Sequence, residues 1–264
     1  MKQYIRDILI FLIVALHITA VYRFFMFKKG PLVRVVVFHD VANRQWFARC
    51  IEALIQKYNV ITPLEFHSKT FDPQRINILL TFDDGYQTWM DNCLPVLEAY
   101  NRKGLFFINS GLLDIASDSD GVIEYVQNRL HISPKNPLTW EGARILVAHG
   151  HTIGGHTVTH PNLALLDTEE VQKEIIEDKQ RIESILGISL QDFAYPFGRN
   201  VNWSIDTMHA AQEAGYSSIY TADTGYVDLT QSHTINRVCI EKDQPVRSIM
   251  WWIEGGYDIF KWHI

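Results

Sequence analysis

Apolar runs alternate along this chain with segments in which apolar residues recur every three or four positions. Residues 32–38 form a valine-rich run that predicts a strand buried on both faces. The next segment repeats apolar residues at helical spacing, at Phe47, Ile51 and Leu54. This alternation continues to about residue 240, and it predicts parallel strands joined by helical crossovers. We therefore expect an α/β fold, an irregular (β/α) barrel of about seven parallel strands.

The other predicted elements follow from the same two patterns. Further strands are predicted at 76–82, 105–109, 193–195, 217–220 and 235–240, and further helices at 91–101, 139–148, 167–186 and 205–214. The clearest helix begins at Asp167, which can cap it together with Glu170, and ends at Gly187. Its charged face from Glu169 to Glu183 is expected to be an ordinary solvated side. Residues 111–137 break the rhythm and predict an insertion, either beside the mouth of a site or as a solvent loop.

The N-terminal segment, residues 1–29, has a different composition. Residues 8–22 contain no charged side chain, and the apolar stretch reaches residue 27 if Arg23 lies at an interface. That length predicts an apolar helix before the barrel that acts as an uncleaved membrane anchor, with a cleaved signal peptide and a surface-lying helix as alternatives. We expect a membrane-anchored chain whose main domain, residues 30–264, faces the periplasm or the cell exterior.

Composition excludes several classes of function. The chain has 264 residues and a formal net charge of −6, which argues against a nucleic-acid partner. Its cysteines, Cys50, Cys93 and Cys239, are far apart, so we expect free buried thiols rather than disulfides or a cysteine zinc site. An apolar run that ends in two aspartates also occurs in nucleotide hydrolases, but the Gly-x-x-x-x-Gly-Lys phosphate loop of those enzymes is missing.

Polar residues follow several of the predicted strands. His39–Asp40 follows the first strand, Asp83–Asp84 follows 76–82, and Tyr195–Gly198 closes a third strand. His156–His160, with imidazoles at both ends, comes after Gly154–Gly155, which we interpret as a turn. In a parallel barrel the functional groups lie where strands end. Two carboxylates and two imidazoles four residues apart can hold a divalent metal beside a general base, so the pattern indicates metal-assisted hydrolysis.

Three motifs resemble those of polysaccharide deacetylases, the NodB-homology or family 4 carbohydrate esterases. They are Thr81–Gly85, His156–His160 and Phe193–Gly198, and they occur in the order seen in the family. The resemblance covers about residues 32–245 and includes 37–40, 138–141 and 150–154. The last of the three motifs, together with the opening His-Asp pair, is similar to a branch of the family that acts on poly-N-acetylglucosamine.

The resemblance implies a metal site and a reaction. Asp84, His156 and His160 would bind a divalent metal, for which zinc is favoured and cobalt, nickel and iron(II) are alternatives. The ion would acidify a water molecule and polarise the acetamide carbonyl, and Asp83 would accept the proton of that water. Gly85 is expected to turn the chain sharply so that both carboxylates reach one rim.

Other positions follow the family pattern or depart from it. The backbone N–H of Phe197 is the expected oxyanion donor. Ala194 stands where the family often has an arginine, and the late Leu-x-His that supplies the general acid in many members is missing. We therefore expect His39 to protonate the leaving amine and Arg237 to be the partner of Asp83.

These features together predict a metal-dependent hydrolase that removes N-acetyl groups from N-acetylated aminosugars of a polysaccharide or glycolipid. The expected partner is a glycan that contains N-acetylglucosamine. Two alternatives stay open. One is a catalytically impaired, glycan-binding member of the same fold, and the other is a metal-dependent hydrolase of another C–N amide bond.

Overall fold

In the computed structural model, which describes residues 18–27, 30–130, 135–230, 234–256 and 258, the apolar runs form short strands that pair in parallel. The strands are β1 (Val33–Phe38), β2 (Asn59–Ile61), β3 (Asn77–Phe82), β4 (Leu105–Ile108), β5 (Thr152–Gly155), β6 (Asp192–Ala194), β7 (Ser218–Tyr220), β8 (Thr234–Ile235) and β9 (Arg237–Cys239). Their order is β8-β7-β6-β5-β4-β3-β1-β9, and β2 pairs with β3 on the edge that β3 shares with β4.

The last two strands close the sheet on itself. β8 pairs with β7 at one end of the sheet, β9 pairs with β1 at the other, and only Asn236 separates them in the chain. One nearly continuous segment therefore pairs with both edges of the sheet, so that the barrel is nearly closed. The prediction of a parallel-stranded α/β barrel is confirmed, but the sheet of the described residues has nine strands rather than about seven.

Helices connect the strands. They are α1 (Ile18–Phe27), α2 (Arg44–Lys57), α3 (Pro63–His67), α4 (Leu94–Ala99), α5 (Ser110–Asp114), α6 (Ser119–Tyr125), α7 (Trp140–Ala148), α8 (Thr168–Leu186), α9 (Ile205–Glu213) and α10 (Val246–Ile253). The ends of α8 are as predicted: Asp167 and Glu170 form a reciprocal capping box, and Gly187 ends the helix with a φ of 66°. The predicted insertion is largely helical, because it folds into α5, α6 and a π-helical turn at Val126–Leu130.

The barrel strands bury both faces. In β1, Val33 and Val35 belong to a cluster filled by side chains from most of the strands, which is the interior of the barrel. Val36 and Phe38 belong to a second, larger cluster with Phe47 and other helix residues. Strands buried on both faces are typical of parallel sheets covered by helices, and they explain the uninterrupted valine run in the sequence.

The membrane-anchor prediction is wrong for the residues that the structure describes. None of the helices among them combines the length and the apolar character that a bilayer span requires. α1 has 10 residues, and Arg23, which we expected at a membrane interface, donates to Glu254 at 2.7 Å. Residues 1–17 and 28–29 of the predicted segment lie outside the described residues. The domain boundary at residue 30 stays a prediction.

A second correction concerns Gly154 and Gly155, which form the end of β5 rather than a turn. A Cβ on Gly154 would lie 2.5 Å from the ring of Phe107, and one on Gly155 would overlap the Tyr216 hydroxyl. The glycines are therefore required by close packing in the barrel wall and not by a change of chain direction.

Candidate metal centre and active site

Three side chains meet at the carboxyl ends of β3 and β5. Asp84 follows β3 by two residues, His156 follows β5 directly, and His160 lies four residues further on. Asp84 Oδ1 is 3.4 Å from His156 Nε2 and 3.4 Å from His160 Nε2. One ligand atom from each residue lies within 4.8 Å of the others, and all three residues are buried. The loops thus bring together the three ligands that the family resemblance implies.

This arrangement fits a divalent metal. Tetrahedral ligands about 2.1 Å from a zinc ion are separated by about 3.4 Å. His156 Nδ1 lies 2.7 Å from the Ala194 carbonyl oxygen, and because a carbonyl only accepts, Nδ1 carries the proton and Nε2 keeps its lone pair for an ion. The hydroxyl of Tyr86 donates to Asp84 Oδ2 at 2.8 Å, which leaves Oδ1 to face the histidines. A carboxylate and two imidazoles suit zinc and other late first-row divalent metals.

The electrostatics favour an ionised Asp84. Burial by itself would raise the pKa of Asp84, but in the metal-free site protonated imidazoles of His156 and His160 that donate to this carboxylate hold its pKa well below the ordinary value. An ionised carboxylate is the form that ligates a metal. Asp84 therefore favours positive charge on the groups that face it.

Asp83, the neighbour of Asp84, has a different partner. Both of its carboxylate oxygens accept from Arg237, Oδ1 from Nη1 at 2.7 Å and Oδ2 from Nη2 at 2.7 Å. Arg237 Nε in turn donates to the Thr221 carbonyl at 2.8 Å, and both charged residues are buried. The arginine that opens the barrel-closing strand β9 is thus the partner of Asp83.

Backbone geometry explains how the adjacent carboxylates of Asp83 and Asp84 can both lie at the same end of the barrel. The N–H of Asp83 still donates to the Phe38 carbonyl at 3.0 Å, as a continuation of the β1–β3 pairing. Asp84 then has a φ of 85° and Gly85 a φ of 88°. The sharp turn that we expected at Gly85 therefore begins one residue earlier, at Asp84, a residue type that tolerates the left-handed region.

The other predicted residues surround a cavity of about 830 Å³ whose wall includes Asp84 and His160. His39 is exposed in that wall, and its carbonyl is fixed by the indole N–H of Trp89 at 2.9 Å. Phe197 has a φ of 59°, and its ring lies 4.8 Å from the ring of His160. The structure thus places His39 and Phe197 in the same cavity wall as two of the candidate ligands, Asp84 and His160.

The insertion contributes to the same cavity, through Leu130 and Lys135. Lys135 Nζ is 2.9 Å from Asp40 Oδ2, and the Thr88 hydroxyl donates to Asp40 Oδ1 at 3.0 Å. Of the two positions considered for residues 111–137, the described part supports the one beside the mouth of the site.

Sequence reasoning missed two carboxylates on α8, whose charged face we expected to be solvated. Asp178 is fully buried and accepts the backbone N–H of Ser110 at 2.9 Å and of His156 at 3.0 Å, and burial raises its pKa to about 7. Glu174, one turn earlier, accepts the N–H of Thr159 at 2.8 Å. A signal was present, because Asp178 lies on the apolar stripe of the helix, between Ile175 and Ile182.

Comparisons with known proteins agree with this geometry. A family model described as polysaccharide deacetylase matches residues 72–219. A chitooligosaccharide deacetylase of Rhizobium leguminosarum bv. trifolii is 27% identical over 145 residues, which cover 54% of this chain and 55% of the relative. A peptidoglycan-N-acetylglucosamine deacetylase of Bacillus cereus is 25% identical over 150 residues, 51% of this chain and 46% of the relative. The chain spans about half the length of these curated relatives.

A solved structure supports the fold. The deacetylase PplD of Streptococcus pyogenes, in complex with acetate, aligns with a TM-score of 0.70 at 19% identity. The alignment covers 85% of this chain and 99% of that chain. The whole barrel is therefore shared, and not only the segments around the motifs.

Proposed function

We propose that this chain, which belongs to the polysaccharide deacetylase family, hydrolyses N-acetyl groups from N-acetylated aminosugars of a polysaccharide or glycolipid. One observation carries the proposal, the juxtaposition of two adjacent carboxylates with different partners. Asp83 is paired with an arginine. Asp84, the next residue, shares a buried site with two imidazoles and lines an open cavity. Amide hydrolysis of this kind needs a cation site and a separate base next to it.

Asp84, His156 and His160 would hold the metal, with zinc as our first choice and cobalt, nickel or iron(II) as alternatives. When bound, the ion would supply a Lewis acid that acidifies water and polarises the acetamide carbonyl. The buried protein groups around these side chains set their orientation. The Ala194 carbonyl fixes the ring of His156, and the Tyr86 hydroxyl fixes the carboxylate of Asp84.

Asp83 accepts the proton of the water that attacks the acetamide carbon. A carboxylate offers about four lone-pair directions on its two oxygens. The bidentate contact with Arg237 uses one direction on each oxygen, so each oxygen keeps another for a proton. Arg237 orients the base and compensates its charge, which would otherwise be buried without a partner.

Two further groups complete the reaction that we propose. The backbone N–H of Phe197 stabilises the negative charge that develops on the carbonyl oxygen during attack. The imidazole of His39, exposed in the cavity wall, protonates the amine as it leaves. Support for both roles is positional, because both residues line the cavity that also contains Asp84 and His160.

The substrate that we propose is a glycan containing N-acetylglucosamine. Two relatives are named as deacetylases of chitooligosaccharides and of N-acetylglucosamine in peptidoglycan. The cavity has the volume typical of small-ligand sites and presents apolar surface from Trp46 and Tyr86 together with paired charges such as Asp40 and Lys135. Mixed apolar and hydrogen-bonding walls suit an uncharged sugar ring.

The test is acetate release from chitin oligomers, peptidoglycan and poly-N-acetylglucosamine, each with and without a chelator. We expect release from at least one glycan, loss of release with chelator, and recovery when zinc or cobalt is restored. Glycan binding without release under any metal would instead support the impaired, glycan-binding alternative. The Arg237 contact weighs against that alternative, since Asp83 has a partner although position 194 is an alanine.

A further inference from the structure

The loop that carries both candidate histidine ligands, residues 156–160, has a strained backbone. Thr157 has a φ of 69° and His160 a φ of 55°. The left-handed region is unfavourable for residues other than glycine, and it is most unfavourable for a β-branched residue such as threonine. Each such residue costs about 1–3 kcal/mol and persists only where the surrounding contacts determine the conformation. Some part of the protein must therefore hold this loop.

Within the loop, the N–H of His160 donates to the Thr157 hydroxyl at 3.1 Å, and three further N–H groups of the loop donate to α8. Asp178 Oδ2 accepts the N–H of His156 at 3.0 Å, and the other oxygen of Asp178 accepts the N–H of Ser110 at 2.9 Å. Glu174 accepts the N–H of Thr159 at 2.8 Å and its hydroxyl at 2.6 Å. The backbone carbonyl of Glu174 also accepts the N–H of Val158 at 3.3 Å. Two acidic residues one helical turn apart thus bind the loop at its beginning and near its end.

The carbonyl groups of the loop accept from residues that follow β4 in the chain. Asn109 donates from its side-chain amide to the carbonyls of His156 and Thr157, the latter at 3.2 Å. Gly111 donates its N–H to the Val158 carbonyl at 3.1 Å. Bonds from a backbone N–H to an ionised carboxylate are stronger than those between neutral groups. The contacts that the Glu174 carboxylate makes with Thr159 are therefore the stronger part of this set.

We propose that Glu174 and Asp178 are positioning residues for metal binding, and this inference rests on the metal site in the proposed function. Their carboxylates keep the loop in the strained conformation in which the imidazoles of His156 and His160 face Asp84. Neither residue belongs to the set that would hold the ion. When one of them is removed, Thr157 and His160 can relax to a lower-energy backbone, and the two imidazoles then move apart.

The experiment measures metal affinity of the full chain with zinc and with cobalt, by competition against a chelator of known affinity. The variants are Glu174→Ala, Glu174→Gln and Asp178→Asn. Glu183→Ala is the matched control, because Glu183 is also a half-buried acid on α8 that accepts a backbone N–H, from Leu190 at 2.8 Å, but far from the loop. Thermal unfolding of the metal-free forms separates loss of folding from loss of affinity.

We expect Glu174→Ala and Asp178→Asn to weaken metal binding by about 10- to 100-fold, the range found for groups that orient metal ligands. The visible spectrum of the bound cobalt, which reports its ligand geometry, should change in both variants. Glu174→Gln should recover most of the affinity, because the amide oxygen still accepts the N–H of Thr159. An asparagine at 178 has only one acceptor oxygen for two N–H donors, so it should not recover affinity.

Wild-type affinity and an unchanged cobalt spectrum in folded Glu174→Ala would overturn the proposal, even if Asp178→Asn fails to fold. An equal loss in Glu183→Ala would also overturn it, since the effect would then be general to the helix. In both cases the metal site itself would stand. Wild-type protein that takes up neither ion would overturn the metal site and this inference with it.

Discussion

Each end of the barrel contains a buried carboxylate with a basic partner, but the backbone conformation near the two carboxylates differs. At the carboxyl ends of the strands, Asp83 pairs with Arg237 at 2.7 Å, and the adjacent Asp84 lines the cavity. At the opposite end, Asp192 pairs with His67 at 3.1 Å and accepts the Tyr220 hydroxyl at 2.8 Å. There the barrel is covered by α3, whose Phe66 packs near Tyr220 inside a capped and unstrained helix.

Backbone strain separates the two ends more clearly than charge does. At the cavity end, left-handed φ angles fall on Asp84, Thr157, His160 and Phe197, which are candidate site residues or lie between them, and also on Asp243 in a turn beside the cavity-lining Lys242. At the opposite end, Lys69 and Asn101 also have positive φ, but each follows the end of a helix, where that conformation is usual. The comparison indicates that one end of the barrel is built for chemistry and the other for stability.

The largest effect that we expect comes from replacing each of the two buried carboxylates, Asp83 and Asp192, by an amide. Asp83→Asn should lower turnover by about 10²- to 10⁴-fold, the usual contribution of a general base. The matched Asp192→Asn variant should lower the melting temperature and leave the turnover of the folded protein nearly unchanged. Acetate release and thermal unfolding measure both. Equal losses of turnover in the two variants would remove the distinction between the ends.

The next effect concerns the arginine at the cavity end. Arg237→Ala leaves the charge of Asp83 buried without a partner, which should lower the free energy of unfolding by about 3–5 kcal/mol and also lower turnover. Adding Asp83→Ala to that variant should restore much of the stability and none of the turnover. Denaturant unfolding measures the first quantity. An Arg237→Ala protein with wild-type stability and turnover would contradict the assignment of Arg237 as the partner of the base.

Substitution of His39 tests the role of the cavity end without disturbing the core. Because His39 is exposed, His39→Ala should change the free energy of unfolding by no more than about 0.5 kcal/mol. Turnover should fall by about 10²-fold if the imidazole protonates the leaving amine. Steady-state kinetics with an N-acetylglucosamine oligomer give the answer. Near-full turnover in this variant would show that another group is the acid.

The smallest effect lies at the stable end and depends on pH. The hydrogen bond with Asp192 raises the pKa of His67 above 6.5. The protonated form is therefore favoured by folding, so this contribution to stability is complete below pH 6.5 and is lost as the pH rises through the raised pKa. The difference in melting temperature between wild type and His67→Gln should shrink between about pH 6 and about pH 9. A melting-temperature difference that grows with pH would contradict the predicted direction of this pH dependence.

Much of this comparison could be predicted from local patterns. Valine-rich runs predicted the strands, and carboxylates and imidazoles directly after strands predicted the candidate ligands, since the ends of parallel strands meet at one rim. Arg237 was predicted as a partner of Asp83 from the family resemblance and the alanine at 194, and the structure places it there.

The remaining features depend on tertiary contacts. Gly154 and Gly155 were predicted as a turn because glycine favours turns, and only the packing of Phe107 and Tyr216 explains their place in β5. Asp178 lies within the charged run from Glu169 to Glu183 that was expected to be a solvated face. Its partners are backbone N–H groups from other elements, which a sequence pattern does not display. The anchor prediction likewise rested on the apolar composition of the N-terminal segment. That composition does not show that Arg23 pairs with the distant Glu254.

The central claim is that Asp84, His156 and His160 hold one divalent ion. Equilibrium dialysis of metal-free protein against zinc, with the metal counted per chain, tests it most directly. We expect one tightly bound ion per wild-type chain and none in a folded His156→Ala, His160→Ala double variant at the same free zinc. A wild-type chain without bound zinc, or a double variant that binds it equally well, would contradict the account.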